Sequence, residues 1–192
     1  LQADGGTQIG LALGRALADP GPNGYLRQVV FITDGSVDQE SALFQRIQSE
    51  LGDSRLFTVG IGAAPNVFFM RKAAQFGRGS FTLIGSTDQV AEKMDQLLQR
   101  LENPVLTDLC TEWSAPAESY PRQLPDLYLG EPLIISTRVS QLKGDVQLCG
   151  STSEDSWHEW VSLKQHDESS GIGTLWARRK IGSLMDDLAL GG

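Results

Sequence analysis

The chain has 192 residues and carries 16 lysines and arginines against 24 aspartates and glutamates, a net charge of −8. That acidic balance argues against a nucleic-acid binder or a basic membrane-surface module, since both depend on a positive field. A hydrophobic content of 40% excludes a disordered chain, and no apolar run approaches the roughly 20 residues of a membrane span.

The expected elements alternate between strand and helix up to about Pro104. Gln8 to Ala18 reads as a helix with Ile9, Ala12, Leu13, Ala16 and Leu17 on one face, stopped by Pro20. Gln28 to Thr33 is a continuous apolar run, the pattern of a strand buried on both faces of a parallel sheet. Gln39 to Leu51 follows as a helix with Leu43, Phe44, Ile47 and Leu51 at helical spacing, and Arg55 to Ile61 as a second buried strand. Asn66 to Phe76 is a helix closed by Gly77, and Gly79 to Ile84 a third strand. Ser86 or Thr87 then caps a helix to Leu101 that carries Val90, Met94, Leu97, Leu98 and Leu101. Such alternation demands right-handed crossovers and parallel pairing.

Beyond Pro104 the composition changes. All seven phenylalanines precede it and all four tryptophans follow it. Leu106–Trp113, Leu133–Ser140, Val146–Cys149 and Trp157–Leu163 are short β-rich segments, which suggests a small antiparallel sandwich. Thr174 to Leu190 reads as a last helix with Ala177, Ile181, Leu184, Met185 and Leu188 inward. The expected fold class is therefore α/β, a partial doubly wound parallel sheet over residues 1–104, followed by a β-rich domain over residues 105–192 that ends in a helix. Cys110 and Cys149 fit no zinc or redox spacing, which leaves a disulfide or two buried thiols. A disulfide would close a loop worth about 4 kcal/mol and would imply export.

In an open α/β sheet, ligands gather at the carboxyl ends of the strands. Asp34 leaves its strand directly onto the Asp34-Gly35-Ser36 turn at that edge. Thr7 stands where a helix N-cap belongs, after Asp4 and after Gly5 and Gly6, which let the backbone approach a ligand. A hydroxyl and a carboxylate are hard oxygen donors suited to Mg²⁺ or Mn²⁺ rather than zinc. The plainer reading makes Asp34 a turn former and Asp4 and Asp38 solvated charges. Gly60-Ile61-Gly62 lacks the third glycine of a dinucleotide fingerprint. Neither a phosphate loop nor a Gly-x-Ser-x-Gly elbow is present. His158 and His166 read as surface residues. Trp157 and Trp160 read as core, with a binding patch over Trp157-His158-Glu159-Trp160 as the alternative.

Three segments, ADGGTQIGLALGRAL, RQVVFITDGSVDQE and RLFTVGIGAAPNVFFMRKAAQFGRGSF, resemble in order the second half of a von Willebrand factor A domain. The variant is similar to that of the inter-alpha-trypsin-inhibitor heavy chains and related bacterial surface proteins. NPVLTDL, LYLGEPLIIS and TLWARRKIGSLM resemble more weakly the region behind that domain. The resemblance implies a metal-ion-dependent adhesion site with Thr7 and Asp34 as metal ligands. Asp4, Gly5, Gly6, Gly35 and Ser36 are candidates to orient those ligands. An acidic residue of a partner protein would complete the coordination. The family's Asp-x-Ser-x-Ser loop would lie upstream of Leu1, so the chain reads as a piece of a longer protein, with Mg²⁺ or Mn²⁺ bound by the intact parent rather than by this piece. The family's sheet has six strands with the first at its centre, and this chain supplies three. The open edge is therefore expected to be covered by a second copy or by rearrangement of Gln8–Ala18. The expected function is non-enzymatic adhesion at an extracellular, cell-surface or periplasmic location. The alternatives are a scaffold with a vestigial metal site, or a metal-assisted hydrolase using Asp34 with Ser36 and Asp38.

Overall fold

The computed structural model describes residues 9–18, 25–34, 37, 39–62, 65–103, 105–141, 143–152, 155–164 and 171–190. The chain divides into two compact units, Leu1–Leu101 and Glu102–Gly192. It is a mixed α/β protein with one parallel sheet and further antiparallel sheets. Among the described residues, no helix is long and apolar enough to cross a membrane.

The first unit holds α1 (Ile9–Leu17), β1 (Gln28–Thr33), α2 (Glu40–Glu50), β2 (Arg55–Ile61), α3 (Val67–Phe76), β3 (Arg78–Ile84) and α4 (Val90–Glu102). The strands form a parallel sheet in the order β1-β2-β3. β2 is central, and its first six residues are all buried, as a continuous apolar run between two helical layers requires. Thr58 is tolerated there because its hydroxyl donates to the Met70 carbonyl of α3 at 2.8 Å. On the opposite face, Arg100 of α4 donates to Ser80 Oγ of β3 at 3.3 Å. α2 and α3 are joined by Phe44, which stacks on Phe69 and meets Phe76 edge-on, both with centroids 5.2 Å apart. α1 buries Ile9, Leu13 and Leu17, one residue per turn. A bulge interrupts the β2–β3 register between Leu56 and Thr58. There a side chain at Gly79 would meet the Leu56 carbonyl oxygen at 2.3 Å, so only glycine fits.

Two expectations for this unit are corrected. β1 is not buried on both faces: its side chains alternate, and Val30 and Ile32 lie exposed, Ile32 at 50%. Composition cannot distinguish it from β2, because what differs is the covering layer. The expected rearrangement of Gln8–Ala18 over the edge is not seen in its described residues: Ile9–Leu17 is the helix α1, and among the described residues β1 pairs on one side only. On α4, Leu97 is buried but Val90 and Leu98 are exposed, so its apolar stripe is only partly covered.

In the second unit, β4 (Val105–Trp113), β6 (Leu127–Tyr128), β8 (Asp145–Ser151) and β9 (Ser156–Ser162) form a sheet in the order β6-β4-β8-β9, with antiparallel pairing throughout. β5 (Ala117–Tyr120) and β7 (Ser136–Val139) form a separate antiparallel pair, and α5 spans Ile172–Ala189. Cys110 and Cys149 face each other across β4 and β8 and are joined in a disulfide, their Cα atoms 5.1 Å apart. The Tyr120-Pro121 peptide is cis.

α5 docks through polar groups. Trp176 Nε1 donates to the Glu118 carbonyl at 3.0 Å, Lys180 Nζ to Glu118 Oε1 at 2.6 Å, and Arg179 to the Ile134 carbonyl at 2.6 Å. Arg138 and Lys180 sit over the Trp176 ring, 4.8 and 5.1 Å from its centroid. The inward orientation expected of Ile181, Leu184, Met185 and Leu188 is therefore wrong: all four are exposed, Leu188 at 73%. Bonds to Glu118 of β5 and to the Ile134 carbonyl, with Arg138 of β7 over the Trp176 ring, turn the helix against its apolar pattern. Likewise Trp160 is 64% exposed and does not fill a core, because β9 is an edge strand.

Glu118 accepts from Lys180 and Tyr120 and pairs with Arg138, and the bond from Lys180 above all holds its carboxyl below the ordinary glutamate value of 4.5. Its contribution to stability is full above that value and is lost as the pH falls through the lower folded one. The melting temperature is expected to decline below pH 4.5, and Glu118→Gln to flatten that limb. An unchanged acid limb in the variant would assign the decline to other carboxylates.

Candidate functional site

The three parallel strands end level with one another. Thr33 pairs with Gly60 and Gly60 with Leu83, so Asp34, Ile61 and Ile84 form the carboxyl edge of the sheet. Thr33 is buried and Asp34 is exposed, so the chain leaves its apolar run at the point where a carboxylate reaches solvent. The connection to α2 is pinned by Val37, which is buried. Gly62 takes a φ of 90°, open only to glycine, and its N–H donates to the Ile84 carbonyl at 2.9 Å, tying the second strand end to the third. A side chain at Gly60 would meet Pro65 and the Phe81 ring. Packing and turn geometry thus account for both glycines of Gly60-Ile61-Gly62.

The helices following these strands start at the same edge, directing the positive ends of their dipoles toward it. Asn66 Oδ1 caps α3 by accepting from Phe69 N–H at 3.0 Å, and Asn66 Nδ2 donates to Glu40 Oε1 in the first turn of α2 at 2.5 Å. This bond joins the two helix starts and holds the carboxyl edge as a unit. The sequence signals Asn66 as a cap, but its link to Glu40, 26 residues away, follows only from the fold. Arginines gather at the opposite end of the sheet: Arg27 donates to the Ala16 carbonyl, Arg55 to that of Asp53, and Arg78 to that of Gly52.

Of the residues expected to form or support a metal site, Asp34 is described, and it stands at the strand end. Asp4, Gly5, Gly6, Thr7, Gly35, Ser36 and also Asp38 lie outside the described residues. The donor chemistry of an exposed carboxylate at this edge fits a hard divalent cation. Among the described residues, no group of three His, Cys, Asp or Glu side chains gathers to hold one. Asp34 is thus the one carboxylate of the expected set that the described residues place at this edge. His158 is exposed on β9, its Nδ1 3.4 Å from Gln147 Nε2, and His166 lies outside the described residues.

Residues 1–83 match the von Willebrand factor type A domain family. The chain is 23% identical over 185 residues to a von Willebrand factor A domain-containing protein of Dictyostelium discoideum, covering 83% of this chain and 20% of that protein. It is 29% identical over 141 residues to the human von Willebrand factor A domain-containing protein 5B1, covering 70% of this chain and 11% of the relative. It is also 24% identical over 172 residues to the human protein mono-ADP-ribosyltransferase PARP4, covering 84% of this chain and 10% of that enzyme. The chain thus spans a fifth or less of the curated relatives it matches. Among solved structures, a von Willebrand factor type A protein from Catenulispora acidiphila shares the fold, with a TM-score of 0.57 at 20% identity over 85% of this chain and 47% of that one.

Proposed function

We propose that the chain is part of a protein-binding module rather than a catalyst, and that Asp34 is a ligand to a Mg²⁺ or Mn²⁺ ion that captures a carboxylate of a partner protein. The observation that carries this reading is the exposed Asp34 carboxylate at the end of β1, within a segment that matches the A-type domain. When bound, the cation supplies an open coordination position for the partner's acidic side chain. The protein's part is to hold Asp34 at a rigid edge: β1 is paired along its length with β2, Val37 anchors the following turn, and the Asn66–Glu40 bond fixes the neighbouring helix starts. Thr7 is the second ligand by resemblance. Residues 1–192 contain no Asp-x-Ser-x-Ser sequence, so the reading calls for donors beyond Asp34 and Thr7. Secretion or surface display suits the Cys110–Cys149 disulfide.

Calorimetric titration of the full-length protein with Mg²⁺ and with Mn²⁺ tests this reading. Saturable binding is expected, weakened by at least about 100-fold in Asp34→Ala, the upper end of what disturbing a metal ligand's surroundings costs. Residues 1–192 alone are expected to show no saturation. An absence of binding by the full-length protein would leave a scaffold with a vestigial site as the better account, and binding unaffected by Asp34→Ala would move the cation elsewhere.

A further inference from the structure

We infer that the free edge of β9 is a docking site for an extended, basic segment of a partner protein, which adds a strand antiparallel to β9; this site is independent of the cation reading at the first sheet. Among the described residues, β9 ends the order β6-β4-β8-β9, and it is paired with β8 through seven consecutive residues without a bulge. Two bonds bracket that ladder: Leu163 N–H donates to the Gly144 carbonyl at 3.0 Å, and Thr152 N–H to the Asp155 carbonyl at 2.8 Å. In an antiparallel pair, the residues that exchange bonds with the partner strand alternate with residues that do not. Asp155, Trp157, Glu159, Val161 and Leu163 accordingly bond toward β8. Ser156, His158, Trp160 and Ser162 direct their N–H and C=O groups away from the sheet.

Edge strands are ordinarily blunted by lysine, proline or a bulge. The Ser156–Ser162 segment, SWHEWVS, has none of these. It leaves Trp160 and Val161 exposed at 64% and 42%, apolar surface against which side chains of an added strand can pack. Side-chain bonds along the strand, Gln147 with His158 and Ser162 with Asp145 at 2.6 Å, run back to β8, and among the described residues no strand pairs with the outer main chain.

Charge selects the occupant. Residues 105–192 carry 13 acidic and 7 basic side chains, a net of 7 − 13 = −6, and Glu159, Asp155, Asp145 and Glu112 are exposed on this sheet. A second copy is disfavoured. In the register that overlaps β9 fully with itself, Glu159 opposes Glu159 at a non-hydrogen-bonded position, where strands approach most closely and like charges repel. A lysine or arginine at that position gives an attractive pair instead, and an aliphatic residue on the alternate face meets Trp160.

The test uses the 192-residue chain and two end-blocked octapeptides, one alternating valine with lysine and the other valine with glutamate. Amide hydrogen exchange is followed by NMR. Saturation with the lysine peptide is expected to slow the Ser156, His158, Trp160 and Ser162 amides while leaving Trp157, Glu159 and Val161 as protected as before. The glutamate peptide is expected to bind about tenfold more weakly. His158→Pro removes an outward N–H while sparing the bonds to β8, and is expected to abolish binding. If it also strips protection from Glu159 and Val161, a lysine peptide N-methylated on its bonding side serves in its place and is expected not to bind. Unchanged exchange at the four outward amides would overturn the proposal, as would equal binding of the two peptides. So would concentration-dependent protection of those amides in the free chain, which would assign the edge to a second copy.

Discussion

Replacing Cys110 and Cys149 with serine is expected to lower the stability of the second unit by about 4 kcal/mol, the chain-entropy value for a loop of this length. The two residues are 39 apart in sequence, so the bond removes a large set of unfolded conformations while tying together strands that are already register partners. The bond crosses β4 and β8, the two strands that together hold β6 and β9 in the sheet. All four tryptophans, Trp113, Trp157, Trp160 and Trp176, lie in this unit. Intrinsic fluorescence in a urea titration therefore reads its unfolding directly. The midpoint of the double variant is expected to fall and the slope to rise, because the unfolded chain without the cross-link exposes more surface. A loss below about 1 kcal/mol would mean that the reduced unfolded chain already holds β4 and β8 together.

The second large effect belongs to Phe57. It lies on the central strand and is fully inaccessible to solvent. Its register partner Val30 is on the neighbouring strand. Phe57→Ala is expected to cost about 3–5 kcal/mol, the transfer of the ring to water plus the cavity it leaves. That is a large share of the 5–15 kcal/mol typical of a whole domain. Ile32→Ala, on the same face of the sheet but half exposed, is expected to cost less than about 1 kcal/mol. Circular dichroism at the helix band follows both, since the first unit has no tryptophan. Equal losses in the two variants would show that Ile32 is covered in solution, as it would be by further strands of the parent or by a second copy.

The contrast between these residues also marks how far the sequence could be read. Arg55 to Ile61 and Gln28 to Thr33 carry the same continuous apolar signal, and both are parallel strands. Whether a strand is covered depends on what lies above it, which its own composition does not encode. α5 failed for a different reason. Its apolar period is genuine, but the helix is oriented by Trp176, Arg179 and Lys180 bonding to β5 and to the Ile134 carbonyl. Charged and indole donors with fixed acceptors outweigh the stripe, which the described residues leave exposed. β5 and β6 give no strand signal because they are four and two residues long and sit among prolines that read as loop. At the candidate site, Asp34 was legible because an apolar strand runs straight into an Asp-Gly turn. Glu40 was not, since its bond to Asn66 spans 26 residues and exists only once α2 and α3 lie side by side.

Strand order has a consequence for how the chain is made. In the first sheet, spatial order equals chain order, so each strand emerging from the ribosome finds the preceding one already waiting and the sheet can grow behind the exit tunnel. The second unit cannot. β4 appears first, yet its long partner β8 arrives only after β5, β6 and β7. At a synthesis rate of about 5–20 residues per second, the separation of 39 from Cys110 to Cys149 leaves the first cysteine a lone thiol for about 2–8 s. β4 has two open edges until β6 emerges, and one until β8 follows.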